Sequence, residues 1–149
     1  MNKQENYQLL LKQASSLLAC EHDLIANMSN ISALLFSGLP NVSYAGFYRY
    51  QDGELILGPF QGPVACMHIQ LGKGVCGTAA KLRQTQIVPN VHQFAGHIAC
   101  DATTNSEIVV PLIKNDKLIA VLDLDSNDFA TFDEVDAEFL SKIAELILS

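Results

Sequence analysis

Between Glu54 and Ser126 the chain sets three of its four cysteines among small-residue turns. The runs are Gly58-Pro-Phe-Gln-Gly-Pro-Val-Ala-Cys66, Gly72-Lys-Gly-Val-Cys76-Gly-Thr-Ala-Ala80 and Gly96-His-Ile-Ala-Cys100-Asp. A reactive thiol needs a polar, partly open setting that favours its thiolate, and Gly, Pro, His and acidic neighbours supply one. A second thiol nearby turns an oxidised cysteine into a resolvable disulfide. Taken alone, Cys66 and Cys76 also suit the packing role of a small buried hydrophobe. Cys20, ending an amphipathic segment, suits that role best.

Glu107, Asp123 and Asp125 form a second constellation. Val121-Leu-Asp123-Leu-Asp125-Ser126 reads as a strand, in which positions 123 and 125 share a face. Glu107, in Asn105-Ser-Glu107-Ile-Val-Val-Pro111, falls on the neighbouring hairpin strand and can join them. Acidic residues at a strand end are ordinarily solvated. Crowded together beside a thiol they raise one another's pKa, which keeps one protonated as a general acid near neutral pH.

Leu10, Ala14, Leu17 and Leu18 recur at helical spacing over residues 5–20, with Lys12 and Gln13 opposite. A second helix is expected from about Asp23, its cap, with Leu24, Met28, Ile31 and Leu35 on one face and Gly38 and Pro40 as the stop. Strands follow: Val42–Tyr50, a hairpin turn at Asp52-Gly53, Glu54–Leu57, and Val64–Ile69. A tight turn at Leu71-Gly-Lys-Gly74 leads into a short helix Val75–Leu82, and Gln86–Val88 is a short strand closed by Pro89. Asn90 to Asn105 has no period of either kind, which in a compact domain marks a functional loop. Ser106–Ile113 and Leu118–Leu124 form a hairpin about Asn115-Asp116, and Thr131-Phe-Asp-Glu134 reads as a capping box. It opens a last helix with Val135, Phe139, Ile143, Leu146 and Ile147 on its buried face. The expected class is α+β: one domain over residues 1–149, a central antiparallel sheet with the N- and C-terminal helices packed on one face, and loops plus a short helix covering the other.

The 149 residues fit one domain, and a 49% hydrophobic fraction is ample for its core. A net charge of −7 argues against nucleic acid and anionic membranes, which are bound through basic patches. The opening residues Met1-Asn-Lys-Gln-Glu-Asn-Tyr7 carry no apolar signal core, and no apolar run reaches membrane-spanning length, so a cytoplasmic location is expected. In a reducing compartment clustered cysteines bind metal or do redox chemistry. Zinc on His68, His92 and His97 with the cysteines is disfavoured, since no pair has tight Cys-x-x-Cys spacing. No metal is expected. Gly72-Lys-Gly-Val-Cys-Gly lacks the Lys-Ser/Thr end of a phosphate loop.

Taken in order, the three cysteine motifs, Asn-Ser-Glu107-Ile-Val-Val-Pro-Leu and Val-Leu-Asp123-Leu-Asp125-Ser resemble the free methionine-R-sulfoxide reductases, single-domain enzymes of the GAF fold. The resemblance runs from about Tyr44 to Ser126. It implies Cys100 as the attacking thiol, Cys66 as the resolving one and Cys76 as an auxiliary thiol able to exchange with that pair. It further implies Glu107 and Asp125 at the sulfoxide oxygen, Asp123 at the substrate's amino group, thioredoxin as reductant, and no bound cofactor. The oligomeric state is left open, a homodimer included. Tyr44 stands where the family carries Trp, as an apolar wall against the S-methyl group, and retuned affinity is expected there. Pro63-Val64 and Met67-His68 also depart from the family pattern. The rival reading is a non-catalytic GAF module that binds a small ligand or senses redox state, since one fold serves both uses.

Overall fold

Two amphipathic helices open the computed structural model, which describes residues 1–97 and 100–149. Asn2 caps α1 (Lys3–Leu18) by accepting from the Glu5 N–H, and Asp23 caps α2 (Leu24–Gly38) by accepting from the Ala26 N–H. The stripe that α1 buries is Tyr7, Leu10, Ala14 and Leu18; Leu17 is a correction, lying one helical step off that stripe and 44% exposed. In α2 the expected Met28, Ile31 and Leu35 are fully buried.

β1 (Tyr44–Gln51) and β2 (Glu54–Gln61) are joined through Asp52 and Gly53, whose positive φ values of 52° and 83° match a two-residue primed turn. β2 runs past the expected end at Leu57 because its register on β1 shifts between Gly46 and Tyr48, opposite Pro59. A bulge is where a strand tolerates proline's missing N–H. β3 is only His68–Gln70, shorter than expected, since Val64–Met67 leaves the sheet to carry Cys66. After α3 (Gly74–Leu82) come β4 (Gln86–Val88) and one 3-10 turn, Val91–Gln93, within the aperiodic segment. Ile98 and Ala99, part of the Cys100 motif, lie outside the described residues. β5 (Ser106–Lys114) and β6 (Lys117–Ser126) turn through Asn115 and Asp116, both with positive φ.

All six strands pair antiparallel, in the order β3-β2-β1-β6-β5-β4. One face meets α1, α2 and α4 (Glu134–Leu148) through Ala45, Phe47, Ile108, Val110, Leu112, Leu122 and Leu124. The other face meets α3 and the loops through Tyr48, Leu55, Val109 and Val121. A register shift after Leu112 lets Leu118 and Val121 face the same way despite their odd spacing. Among the described residues no helix is long and apolar enough to cross a membrane.

The cap of α4 sits two residues later than expected. Asp133 accepts from Val135 and is paired with Asp136 in a capping box, while the Thr131 hydroxyl donates to Ser126 Oγ. Asp136 ties the two terminal helices together. Its carboxylate accepts from the buried Tyr7 hydroxyl at 2.5 Å, from Lys3 Nζ at 2.7 Å and from the Asp133 N–H at 2.8 Å. Tyr7 also stacks on Phe139, with ring centroids 5.2 Å apart. Asp136→Ala strips a buried hydroxyl and a helix cap at once, so urea melts should show a loss of about 2–4 kcal/mol. Tyr7→Phe keeps two of the three partners and should lose only about 1 kcal/mol. Equal losses would mean that the hydroxyl, and not the cap, carries the effect.

Candidate active site

The antiparallel register of β5 and β6 pairs Glu107 directly with Asp125 and Val109 with Asp123. Alternation then sends all three acids to the face away from the terminal helices. Over them lies α3, entered by the tight turn that the glycines of 72–77 predict. Gly72 and Gly74 have positive φ, and a Cβ on Gly77 would sit 2.4 Å from the Gln70 carbonyl. That close approach presses Cys76 onto the acids: its thiol points at Glu107 Oε2 at 3.8 Å. The Gly74 N–H donates to the Gly96 carbonyl at 3.0 Å, tying the start of α3 to the loop that leads to Cys100.

Glu107, Asp123 and Cys76 are all buried. Burial first, and then the charge of Asp125, pushes the Glu107 carboxyl well above the ordinary carboxylate range. Asp123 is raised by burial and then by Glu107, and Asp125 by burial and then by Asp123. The Cys76 thiol is raised by burial, then by Asp123 and Glu107, which disfavours its thiolate. Among the described residues no Lys, Arg or His is ion-paired with the three acids. All three shifts run toward the protonated carboxyl, the form that can donate a proton.

Cys66 and Cys100 are joined by a disulfide with Cα atoms 5.5 Å apart, inside the reach of about 7 Å that such a bond allows. Cys100 is exposed and Cys66 half-buried. Asp101 steadies the turn after Cys100, its Oδ1 accepting from the Thr103 N–H and hydroxyl at 2.9 and 2.7 Å.

One cavity brings these groups together: Tyr44, Cys76, Cys100, Glu107, Asp123 and Asp125 all line it, and Cys66 reaches it through its bond to Cys100. Tyr44 is buried and stacks on Phe60 with ring centroids 5.4 Å apart. The histidines do not gather round the cysteines. His68 pairs with Glu54, His92 with Asn105, and only His97 lines the cavity. Sequence reasoning missed Tyr48 and Thr104, which also line it. Tyr48 shares the face of Tyr44 by strand alternation and was findable that way. Thr104, its hydroxyl buried without a partner among the described residues, carries no such signal.

The GAF domain family matches residues 28–148. The chain is 50% identical to the free methionine-R-sulfoxide reductase of Saccharomyces cerevisiae, over 99% of this chain and 86% of that one. It is 47% identical to the enzyme of that name from Escherichia coli, over 96% and 87%. The crystal structure of the free methionine-R-sulfoxide reductase of Neisseria meningitidis in complex with its substrate superimposes with a TM-score of 0.95 at 41% identity, covering 99% of this chain and 89% of that one. Such identity over nearly the whole of both chains is a relationship of family and not of fold alone: this chain belongs to the free methionine-R-sulfoxide reductases, oxidoreductases built on a GAF domain.

Proposed function

We propose that this protein reduces free methionine-R-sulfoxide to methionine through a sulfenic acid on Cys100 and a disulfide with Cys66, and that thioredoxin restores the dithiol. The observation that carries the reading is the Cys66–Cys100 bond, whose exposed half lines the same cavity as three carboxyl groups. The Cys100 thiolate attacks the sulfoxide sulfur, and the S–O bond breaks as the oxygen passes to Cys100. Methionine leaves with its sulfur reduced by two electrons, and Cys100 is a sulfenic acid. The Cys66 thiol displaces the hydroxyl as water and closes the disulfide, which a dithiol protein reopens by exchange. Electrons come from thiols throughout, so no bound cofactor is required.

Glu107 and Asp125, paired across the hairpin, are assigned to the sulfoxide oxygen, and Asp123 to the substrate ammonium. Tyr44 is the wall for the methyl group. Cys76 is the reserve thiol that exchanges with the pair once it opens. The whole chain from Met1 to Ser149 is proposed to act as one GAF domain in the cytoplasm. The packing of Tyr7 in α1 on Phe139 in α4 supports the first point, and the need for a reducing compartment supports the second.

Cys100→Ser should abolish turnover even with a strong small-molecule thiol, because no other group attacks sulfur. Cys66→Ser should still form one methionine per enzyme and stall with thioredoxin. Substantial turnover by Cys100→Ser would reassign the nucleophile.

Because the acids are raised and act protonated, kcat with dithiothreitol should fall as pH rises through their ionisation, and Glu107→Gln or Asp125→Asn should lower kcat more than it alters KM. A pH-independent alkaline side would remove the cluster from proton transfer.

Asp123→Asn should chiefly raise KM. Acetylating the substrate amine removes a charge-assisted hydrogen bond worth about 1.5–3 kcal/mol, or about one to two powers of ten in kcat/KM. Equal kcat/KM for free and N-acetylated methionine-R-sulfoxide would show that the pocket does not read the ammonium.

A further inference from the structure

Cys76 Sγ and one carboxylate oxygen each from Glu107 and Asp123 lie within 4.8 Å of one another, all in buried residues. In the oxidised protein Cys66 and Cys100 are bonded to each other, so Cys76 is the free thiol left in the cavity. The redox scheme uses that sulfur only in reserve. Its spacing suits another task. A zinc ion held at about 2.3 Å by a thiolate and about 2.1 Å by a carboxylate at a tetrahedral angle sets those two atoms about 3.6 Å apart. Cys76 Sγ and Glu107 Oε2 stand 3.8 Å apart.

A second observation points to a ligand. Asp123 is 4% exposed, and its Oδ1 is buried with no hydrogen-bond partner among the described residues. A buried oxygen needs a partner; a proton on the neighbouring Glu107 or Asp125 serves as one, and a bound cation that displaces such a proton takes its place. Asp125 Oδ1 and the Tyr44 hydroxyl share that condition at the same cavity.

We propose that Cys76, Glu107 and Asp123 form a binding site for one thiophilic divalent cation, zinc above all, with Asp125 or a water completing the tetrahedron. One thiolate with carboxylate oxygens selects zinc or cobalt over magnesium and calcium, which take oxygen ligands alone. Binding displaces the protons of the ligands. Exposed Pro63, Val64 and Lys73 line the cavity and mark its mouth, which gives the ion a path. The site overlaps the place assigned to the substrate ammonium and sulfoxide, so the cation competes with substrate. That consequence rests on the proposed function; the binding itself does not.

The test uses the full chain, oxidised, with the exposed Cys20 replaced by Ser to remove the other free thiol. Titration with cobalt(II) should saturate at one equivalent, with a thiolate-to-cobalt charge-transfer band in the near ultraviolet. Zinc should bleach the band and magnesium should leave it. Cys76→Ser should lose it, and Asp123→Asn should keep it at saturation with affinity lowered about ten-fold or more. If Cys76→Ser does not fold, Asp123→Asn and zinc displacement carry the test. No band at stoichiometric cobalt, a band that survives Cys76→Ser, or unchanged affinity in Asp123→Asn overturns the site. Methionine sulfoxide should raise the apparent Kd for cobalt. A band insensitive to it leaves the metal site standing and moves the substrate elsewhere.

Discussion

Three carboxyl groups held out of water on one face of a single hairpin govern the arrangement of everything near them. Isolated buried carboxylates would be penalised by several kcal/mol each, and no cationic side chain is ion-paired with these among the described residues. Burial and mutual repulsion accordingly raise all three toward their protonated forms. Their placement depends on register. A slip of β6 by one residue against β5 would turn Asp123 and Asp125 into the apolar layer beneath α1, α2 and α4, away from Glu107, and bring Leu124 to the cavity. That apolar layer is therefore what fixes the acids on the opposite side.

The two faces of the sheet divide the labour. The helical face is packed with fully buried aliphatics and aromatics and supplies the rigidity. The other face is covered by α3, whose Gly77 permits close approach to β3 and whose buried Ala79 and Ala80 fill little space. A bulkier helix would stand off and open the acids to water. The irregular stretch before β3 and the loop before β5 are bonded through Cys66 and Cys100, so the disulfide closes the roof over a floor of carboxyls.

Three cysteines with the same intrinsic chemistry thus acquire different characters from their surroundings. Cys100 lies exposed at the rim, Cys66 is half-buried beside it, and Cys76 is buried against the acids, which disfavour its thiolate. Thiolate character and access, more than residue type, decide which sulfur reacts. The same acids that suppress Cys76 as a nucleophile make it a ligand once a cation can take the place of their protons.

Local signals in the sequence determined most of the frame. The Asp52-Gly53 and Asn115-Asp116 turns, the caps on α1 and α2, and the alternation that puts Asp123 and Asp125 on one face depend only on neighbours along the chain. The cysteine motifs pointed to thiol redox chemistry for the same reason. Four features were decided by tertiary structure. β2 runs on through Pro59 because a bulge at Gly58-Pro59, opposite Phe47 of β1, absorbs it, and the cap of α4 falls on Asp133 because Asp136 is held by Tyr7 and Lys3 from a distant helix. Thr104 enters the cavity from a loop with no periodicity to announce it. Above all, the depth of the acids is invisible in one dimension. Their charge state follows from how closely α3 lies over the sheet, and that distance is set by what Gly77 lacks, read against a carbonyl on another strand.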